Sequence, residues 1–352
     1  MTDGPTFVRV AVLVPCRNEA PTVAQVIRDF RAALPGATIY VFDNRSTDDT
    51  AAVARAAGAV VKREEHPGKG ATVRRMFADV EADAYVLVDG DGTYAADRAP
   101  ALIERLVRED LDMVTAVRNA VERGAYRLGH RFGNAFLTGL VARLFGVRLS
   151  DMLSGYRVFS RRFVKSYPAL ATGFEIETEL TIHALALGLP IGEVSTPYRE
   201  RPAGSTSKLH AVKDGIRILW TISALTRRER PVAFFGTLGS AAIVAALILA
   251  YPLFVTYLET GLVPRFPTAI LCTGLVLLGG ASYASGIVLS AVTRSALEVR
   301  RLAYLQQPGP CRVEAPGEGA DGGAFRVPSA DAKREDPAAP LAAEGSGSRG
   351  AD

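Results

Sequence analysis

Residues 84–94 read AYVLVDGDGTY. A short, wholly apolar run that stops at Asp89-Gly90-Asp91-Gly92 describes a buried strand ending on two carboxylates set two apart, with glycines leaving the backbone open. The same rhythm extends on both sides. Before it come VRVAVLV (8–14), a helical stretch over 22–34, TIYVFD (38–43), a helical stretch over 48–57, AVVKR (59–63) and a helical stretch over 69–81. After it come a helical stretch over 96–109 and DMVTAV (112–117). Strand alternating with helix predicts an α/β fold with a mostly parallel sheet covered on both faces. In such sheets ligands bind beyond the carboxyl ends of the strands, so Asn18, Glu19, Asp43, Asp89 and Asp91 are site candidates by position alone. A D-x-D triplet is common in turns. Its place after a buried strand is what makes Asp89 and Asp91 a hard oxygen site for Mg2+ or Mn2+ bridging a diphosphate.

The 352 residues are 48% apolar and 22% charged, which suits a folded chain with a sizeable core. Mean hydropathy is +0.14, and the apolar excess is concentrated near the C-terminus. Cys16, Cys272 and Cys311 lie far apart and the four histidines are scattered, so neither a disulfide framework nor a zinc site of familiar spacing is offered. The first residues, MTDGPTFVRVAVLVPC, hold too short an apolar run for a signal peptide and carry Asp3 where a basic region belongs, so the head is expected in the cytoplasm. A net charge of +4, with arginines crowded beside the apolar stretches, fits an anionic membrane surface rather than nucleic acid.

Regularity falls over 118–209, with helices expected at 129–145 and 175–187 and strands near 156–159 and 191–198. Residues 1–207 read as one catalytic head. In 208–230, Leu209, Val212, Ile216, Leu219, Trp220 and Ser223 share one side at helical spacing, as in an interfacial amphipathic helix; a packed surface helix is the alternative. Segments 231–258 and 266–293 are each 28 residues without a formal charge, roughly 42 Å as helices, against a hydrocarbon core of about 30 Å. Arg227, Arg228 and Arg230 precede the pair and Arg294, Arg300 and Arg301 follow it, while the connecting loop has only Arg265. A transmembrane hairpin with both outer ends in the cytoplasm is therefore expected, a buried core hairpin being the alternative. Hairpin anchors often associate, which leaves a homo-oligomer open. Residues 308–352 turn to Gly, Pro, Ala, Ser and mixed charge and are expected to be disordered.

Three further features follow successive strands: VPCRNE (14–19), FDNRSTDDT (42–50) and HPGKGATVRR (66–75). With the D-x-D, they resemble the family 2 glycosyltransferases; with the later segments and the anchor, the resemblance is to polyprenyl (dolichyl) phosphate glycosyltransferases. It runs from about residue 8 to 219. The resemblance implies a GT-A fold in which Pro15, Asn18, Glu19 and Asp43 line the nucleotide pocket, Asp43 meeting the base. Where the family usually carries two adjacent acids, this chain has Asp43 and Asn44. Gly68, Lys69 and Gly70 open a helix, a place suited to phosphate, although a plain turn and cap reads equally well. SDMLSGYRVFSRR (150–162) resembles the acceptor-side segment, which makes Asp151 the acid nearest the reacting centre; the alternative is a loop aspartate. GFEIETEL offers Glu175, Glu177 and Glu179, at least one of them a solvated face. Arg118 and Arg131 match positions that hold the acceptor phosphate, and Tyr198, Arg199, Arg201, Ser207 and Lys208 match a closing basic segment; each basic residue could equally be surface charge.

The expected reaction is inverting transfer from a UDP- or GDP-linked sugar to a polyprenyl phosphate, with Asp151, Asp91 and Arg131 at the reacting centre. A phosphate monoester has a second pKa of about 6 and needs little base catalysis, so positioning and charge stabilisation should dominate. The alternative is a family 2 enzyme acting on a sugar hydroxyl, which needs a true base. Two spans and no QxxRW-type segment argue against a processive synthase. A nonenzymatic membrane adaptor is disfavoured by the intact Asp43, Lys69, Asp89 and Asp91.

Overall fold

The computed structural model describes residues 6–120, 149–169, 176–199, 230–308 and 324–327, with residues 139, 173, 223–224 and 226–228 between them. The elements in chain order are β1 (Thr6–Cys16), α1 (Val23–Ala33), β2 (Thr38–Asp43), α2 (Thr50–Ala56), β3 (Val60–Arg63), α3 (Lys69–Asp79) and β4 (Ala84–Leu87). A 3-10 turn (Ala96–Arg98) leads into α4 (Ala99–Arg108), then β5 (Met113–Ala120), β6 (Arg157–Ser160), α5 (Arg161–Ser166), α6 (Ile176–Leu187) and β7 (Ile191–Tyr198). Two long helices, α7 (Pro231–Thr260) and α8 (Phe266–Leu305), precede a short strand, β8 (Ala324–Val327).

The sheet runs β3-β2-β1-β4-β6-β5-β7. β1, β2, β3 and β4 are mutually parallel, and β5 is parallel to β7. β6 is antiparallel to both β4 and β5. Its direction follows from where the chain enters: β5 ends at the carboxyl edge, and the segment that returns at Asp151 arrives at that same edge, so the next strand can only run back down. Alternation along β1 feeds two cores. Val10, Val12 and Val14 pack with Ile27, Phe30, Ile103 and Leu106, while Ala11 and Leu13 pack with Phe77, Tyr85, Phe159, Phe163 and Leu180. Because both faces are covered, the strands read as continuous apolar runs. α1 buries Val23, Val26, Ile27 and Phe30, one stripe at helical spacing.

Two features depart from expectation. The tail from 308 is not without structure throughout, since Ala324–Val327 adds an antiparallel strand to Thr6–Arg9 of β1 and buries Val327 in the core. A six-residue helix, α5, follows β6, its start capped by the Phe163 N–H donating to Ser160 Oγ at 3.1 Å. Almost all of the expected helix 129–145 and most of the expected interfacial helix 208–230 lie outside the described residues, as do Arg131, Glu175, Arg201, Ser207 and Lys208.

α7 and α8 pack side by side; a Cβ added at Gly239 would lie 2.8 Å from the Gly279 carbonyl oxygen, so their backbones meet closely. Both are long and apolar enough to cross a membrane, and their most apolar windows are only 11% and 17% buried within the chain. Helices of a soluble core would be mostly covered. α8 continues beyond the second uncharged run as one helix and lays its last turns along the head.

Candidate active site

The loops after β1, β2 and β4 meet at the carboxyl edge of the sheet and are stitched to one another. Asn18, in a left-handed conformation (φ 55°), accepts the Thr47 N–H at 2.7 Å on its Oδ1, and its own N–H donates to Ser46 Oγ at 2.9 Å. The Glu19 N–H donates to Thr50 Oγ1 and the Ala20 N–H to Asp48 Oδ2. Thr22 Oγ1 donates to the Gly90 carbonyl at 2.7 Å, tying the loop after β1 to the D-x-D. Pro15 and Cys16, at the end of β1, lie in register with Phe42 and the buried Asp43 at the end of β2.

Asn44, known from the sequence only as the residue beside Asp43 where a second acid is usual, has a defined role in the fold. Its Nδ2 donates to the carbonyls of Glu64 (3.2 Å) and His66 (2.6 Å), and its Oδ1 accepts the Gly68 N–H at 2.8 Å. A second acid there could not donate to those carbonyls. The result is a fixed turn at Gly68, whose φ of 116° favours glycine, and from which α3 starts with Lys69.

Lys69 reaches into the site rather than to solvent. Its Nζ lies 2.5 Å from Asp89 Oδ1 and 2.5 Å from Glu177 Oε1. Burial alone would lower the ammonium's pKa, but the two carboxylates outweigh it and hold it raised, so Lys69 stays charged. Glu177 is buried on the first turn of α6, and only the fold joins it to a lysine 108 positions earlier. Gly155 backs this cluster: a Cβ there would strike the Asp89 carboxylate and come within 3.2 Å of Lys69 Nζ. Asp91, buried, accepts the Thr93 N–H at 3.2 Å and the Thr93 hydroxyl at 2.7 Å on one oxygen. Burial first, and then the negative charge of Glu19, Asp43, Asp89 and Asp91, pushes the Cys16 thiol well up. Carboxylates thus outnumber lysine among the described residues of this edge. Among the described residues no three His, Cys, Asp or Glu side chains converge as a preformed cage.

The acceptor-side candidates form a second group. Asp151, buried, grips Arg118 with both oxygens: Nε donates to Oδ2 at 2.6 Å and Nη2 to Oδ1 at 2.8 Å. The Arg118 and Leu153 N–H groups donate to the same carboxylate. The Arg118 guanidinium also lies over the Tyr198 ring, 5.5 Å from its centroid. The loop bearing Asp151 is held from below by Arg157, fully buried, which donates to the carbonyls of Ser154 (2.9 Å) and Met152 (2.6 Å) and to Thr181 Oγ1 (2.8 Å). Between the two groups stands Tyr94, edge-on to Tyr198, with its hydroxyl accepting the Gly155 N–H at 2.9 Å. Arg199 is brought alongside through its N–H, which donates to the Thr93 carbonyl, though its side chain is exposed.

Residues 11–167 match the family described as Glycosyl transferase family 2. Glycosyltransferase AglJ of Haloferax volcanii is 36% identical over 255 residues, 72% of this chain and 83% of that relative. The chain belongs to glycosyltransferase family 2. Another relative from Haloferax volcanii, named a dolichyl-phosphate hexose transferase, is 30% identical over 228 residues, 64% of this chain and 97% of the relative. Among solved structures, glucosyl-3-phosphoglycerate synthase from Mycobacterium tuberculosis, crystallised with Mn2+, UDP and phosphoglyceric acid, superimposes with a TM-score of 0.51 at 26% identity, covering 62% of this chain and 78% of that one. The head of this glycosyltransferase therefore has the GT-A fold, and its carboxyl edge is the edge just described.

Proposed function

We propose that this family 2 glycosyltransferase moves a sugar, with inversion, from a UDP- or GDP-linked donor to a polyprenyl phosphate at the cytoplasmic face of a membrane, using Mg2+ or Mn2+. The observation that carries this reading is the adjacency of two charge groups across Tyr94: the carboxylate-rich Asp89–Lys69–Glu177 cluster and the Arg118–Asp151 pair. One suits a metal-bound diphosphate and the other an acceptor phosphate. The relative named a dolichyl-phosphate hexose transferase supports a lipid phosphate, and the two apolar helices would bring the chain to a bilayer.

A divalent cation fits the residues present. The donor set is all oxygen, an ammonium already sits between Asp89 and Glu177, and two carboxylates completed by phosphate and water are the usual protein share of a Mg2+ site. Asp89 and Asp91 would hold the metal, which supplies Lewis-acid stabilisation of the leaving diphosphate. Pro15, Asn18, Glu19 and Asp43 line the nucleotide pocket, with Lys69 turned to the diphosphate. Arg118, joined by Arg131, Arg199, Arg201, Ser207 and Lys208, receives the phosphates of acceptor and donor. Asp151 orients Arg118, because its oxygens are already engaged by that guanidinium. The acceptor phosphate arrives anionic, so the site need only place it and stabilise charge. Segments 231–258 and 266–293 span the bilayer, the loop 259–265 lies outside, and the head 1–207, the interfacial helix 208–230 and both termini lie in the cytoplasm.

A second reading has a specific support. The structural neighbour was crystallised with phosphoglyceric acid, a soluble phosphate-bearing molecule. Membranes holding the full chain, incubated with labelled UDP- and GDP-sugars and either polyprenyl phosphate or phosphoglycerate, separate the two. A lipid-extractable product is expected, lost in EDTA, restored by Mn2+, abolished in Asp91→Ala and severely reduced in Asp89→Ala. Transfer that survives EDTA would overturn the metal; product from phosphoglycerate alone would overturn the acceptor.

A further inference from the structure

The last turns of α8 carry more than a membrane anchor needs. Tyr304 donates its hydroxyl to Asp112 Oδ2 at 2.8 Å, and its ring lies under the Arg162 guanidinium, 5.1 Å from the centroid. Asp112 is fully buried and also accepts from Ser160 Oγ and from Arg162 Nε, both at 2.6 Å. Arg161 Nη1 donates to Gln307 Oε1 at 3.3 Å. Leu297 and Tyr304 pack against the core that lies beneath α3, α5 and α6.

The two ends of this contact lie at opposite edges of the sheet. Asp112 directly precedes β5 and Ser160 pairs with Ala84 at the start of β4, so the Tyr304 node is at the amino edge. At the other end, Glu177 of α6 holds Lys69 in the site, and Glu179, two residues on, lies 3.9 Å from Arg228 Nη1. The Arg228 carbonyl accepts from Thr293 Oγ1 at 3.2 Å, and Thr293 ends the second uncharged run. The apolar segments therefore leave the head at its carboxyl edge. From Thr293 to Tyr304 is a rise of roughly 16 Å along the helix, enough to run down the side of the sheet.

We infer that residues 294–305 of α8 act as a strut: pinned at Tyr304, they hold the site-bearing edge of the head against the bilayer, at the height where a lipid-borne phosphate emerges. Asp112, Arg162 and Tyr304 are positioning residues; none approaches the Asp89 cluster. The strut rests on the proposed lipid acceptor for its purpose but not for its existence. It predicts a selective defect, because a water-soluble acceptor can diffuse to a tilted head and a lipid fixed in the membrane cannot.

The test compares wild type, Tyr304→Phe and Tyr304→Ala as full-length chains in vesicles. Tyr304→Phe keeps the ring under Arg162 and loses only the hydroxyl; Tyr304→Ala loses both. Hydrogen exchange of the 297–305 amides is expected to quicken in Tyr304→Ala while the strands of the head stay protected. The KM for a long-chain polyprenyl phosphate embedded in the vesicle should rise roughly tenfold in Tyr304→Ala and less in Tyr304→Phe, a misplacement effect. The KM values for a short, water-soluble polyprenyl phosphate and for the donor should not change. Unchanged exchange at 297–305, or equal effects on both acceptors, overturns the strut. If wild type uses neither lipid, the acceptor assignment fails instead, and the exchange measurement still decides the strut.

Discussion

His183 lies on α6 with its ring edge-on to Phe163 and Tyr167, centroids 5.3 and 5.2 Å away, and among the described residues neither ring nitrogen has a hydrogen-bond partner. Burial, and then the nearby Arg300 charge, pushes its pKa down from 6.5 to about 4. Between those values the unfolded chain binds a proton that the folded chain refuses. Stability from this group is therefore complete above about pH 6.5 and lost as pH falls towards 4, by up to roughly 3 kcal/mol. Melting curves at pH 7 and pH 5 should show a drop in wild type that His183→Leu largely removes; parallel drops in both proteins would refute the assignment. Asn44 makes a different prediction, because it satisfies two carbonyls and one N–H around the Gly68 turn. Asn44→Ala leaves the buried Glu64 carbonyl unmatched, at about 1–3 kcal/mol, strips the partly buried His66 carbonyl and Gly68 N–H of the same partner at less cost, and frees the turn that aims Lys69. A lowered melting temperature together with a raised donor KM is expected. A melting temperature equal to wild type would mean that water replaces the amide without cost.

Among the elements, β8 separates what was readable from what was not. Its composition, AFRV within a Gly- and Pro-rich tail, gave no reason to expect order, because four residues acquire a partner only when β1 offers its free length. A chain ending at residue 308 should lose the burial of Val327, worth about 1.5–3 kcal/mol, and melt lower than one ending at 328. Transfer should be undiminished in both, since β8 pairs with Thr6–Arg9 at the start of β1 and the site begins at Pro15, at the strand's other end. Equal melting of the two truncations would show that the strand adds nothing. The same logic runs through the rest of the chain. β2 was legible to the residue because apolar β-formers stop at turn residues there, and β7 because it starts directly after the breakers Gly188 and Pro190. α5 was not, since six residues hold too little periodicity. The carboxylates after β4 were readable from position. Glu177 was not distinguishable from its neighbours in GFEIETEL until the fold put Lys69 beside it, and Arg157 looked like one arginine among several in SGYRVFSRR.

For the molecule as a whole, the nature of the acceptor governs how pH and the Arg118–Asp151 pair act on rate. A lipid phosphate brings its own ionisation, near pH 6, and below that value the monoanion is the weaker nucleophile, so the rate should fall along the phosphate's titration. Asp151 meets Arg118 with both oxygens and two backbone N–H groups besides, an arrangement for holding a guanidinium in place. Asp151→Asn should therefore lower the rate and weaken acceptor binding without moving the acidic limb. Arg118→Ala should raise the acceptor KM by roughly ten- to a hundredfold, the equivalent of about 1.5–3 kcal/mol for a charge-assisted contact, and leave donor affinity nearly unchanged. A sugar hydroxyl as acceptor inverts both outcomes. It must lose a proton to a base, so Asp151→Asn would abolish the limb along with most of the rate, while Arg118→Ala would cost only what Asp151 loses in support. Initial rates of both variants from pH 5 to 8 with a short-chain polyprenyl phosphate distinguish the two. A limb that vanishes in Asp151→Asn would show that the carboxylate takes a proton, and would move this enzyme to the hydroxyl-glycosylating branch of its family.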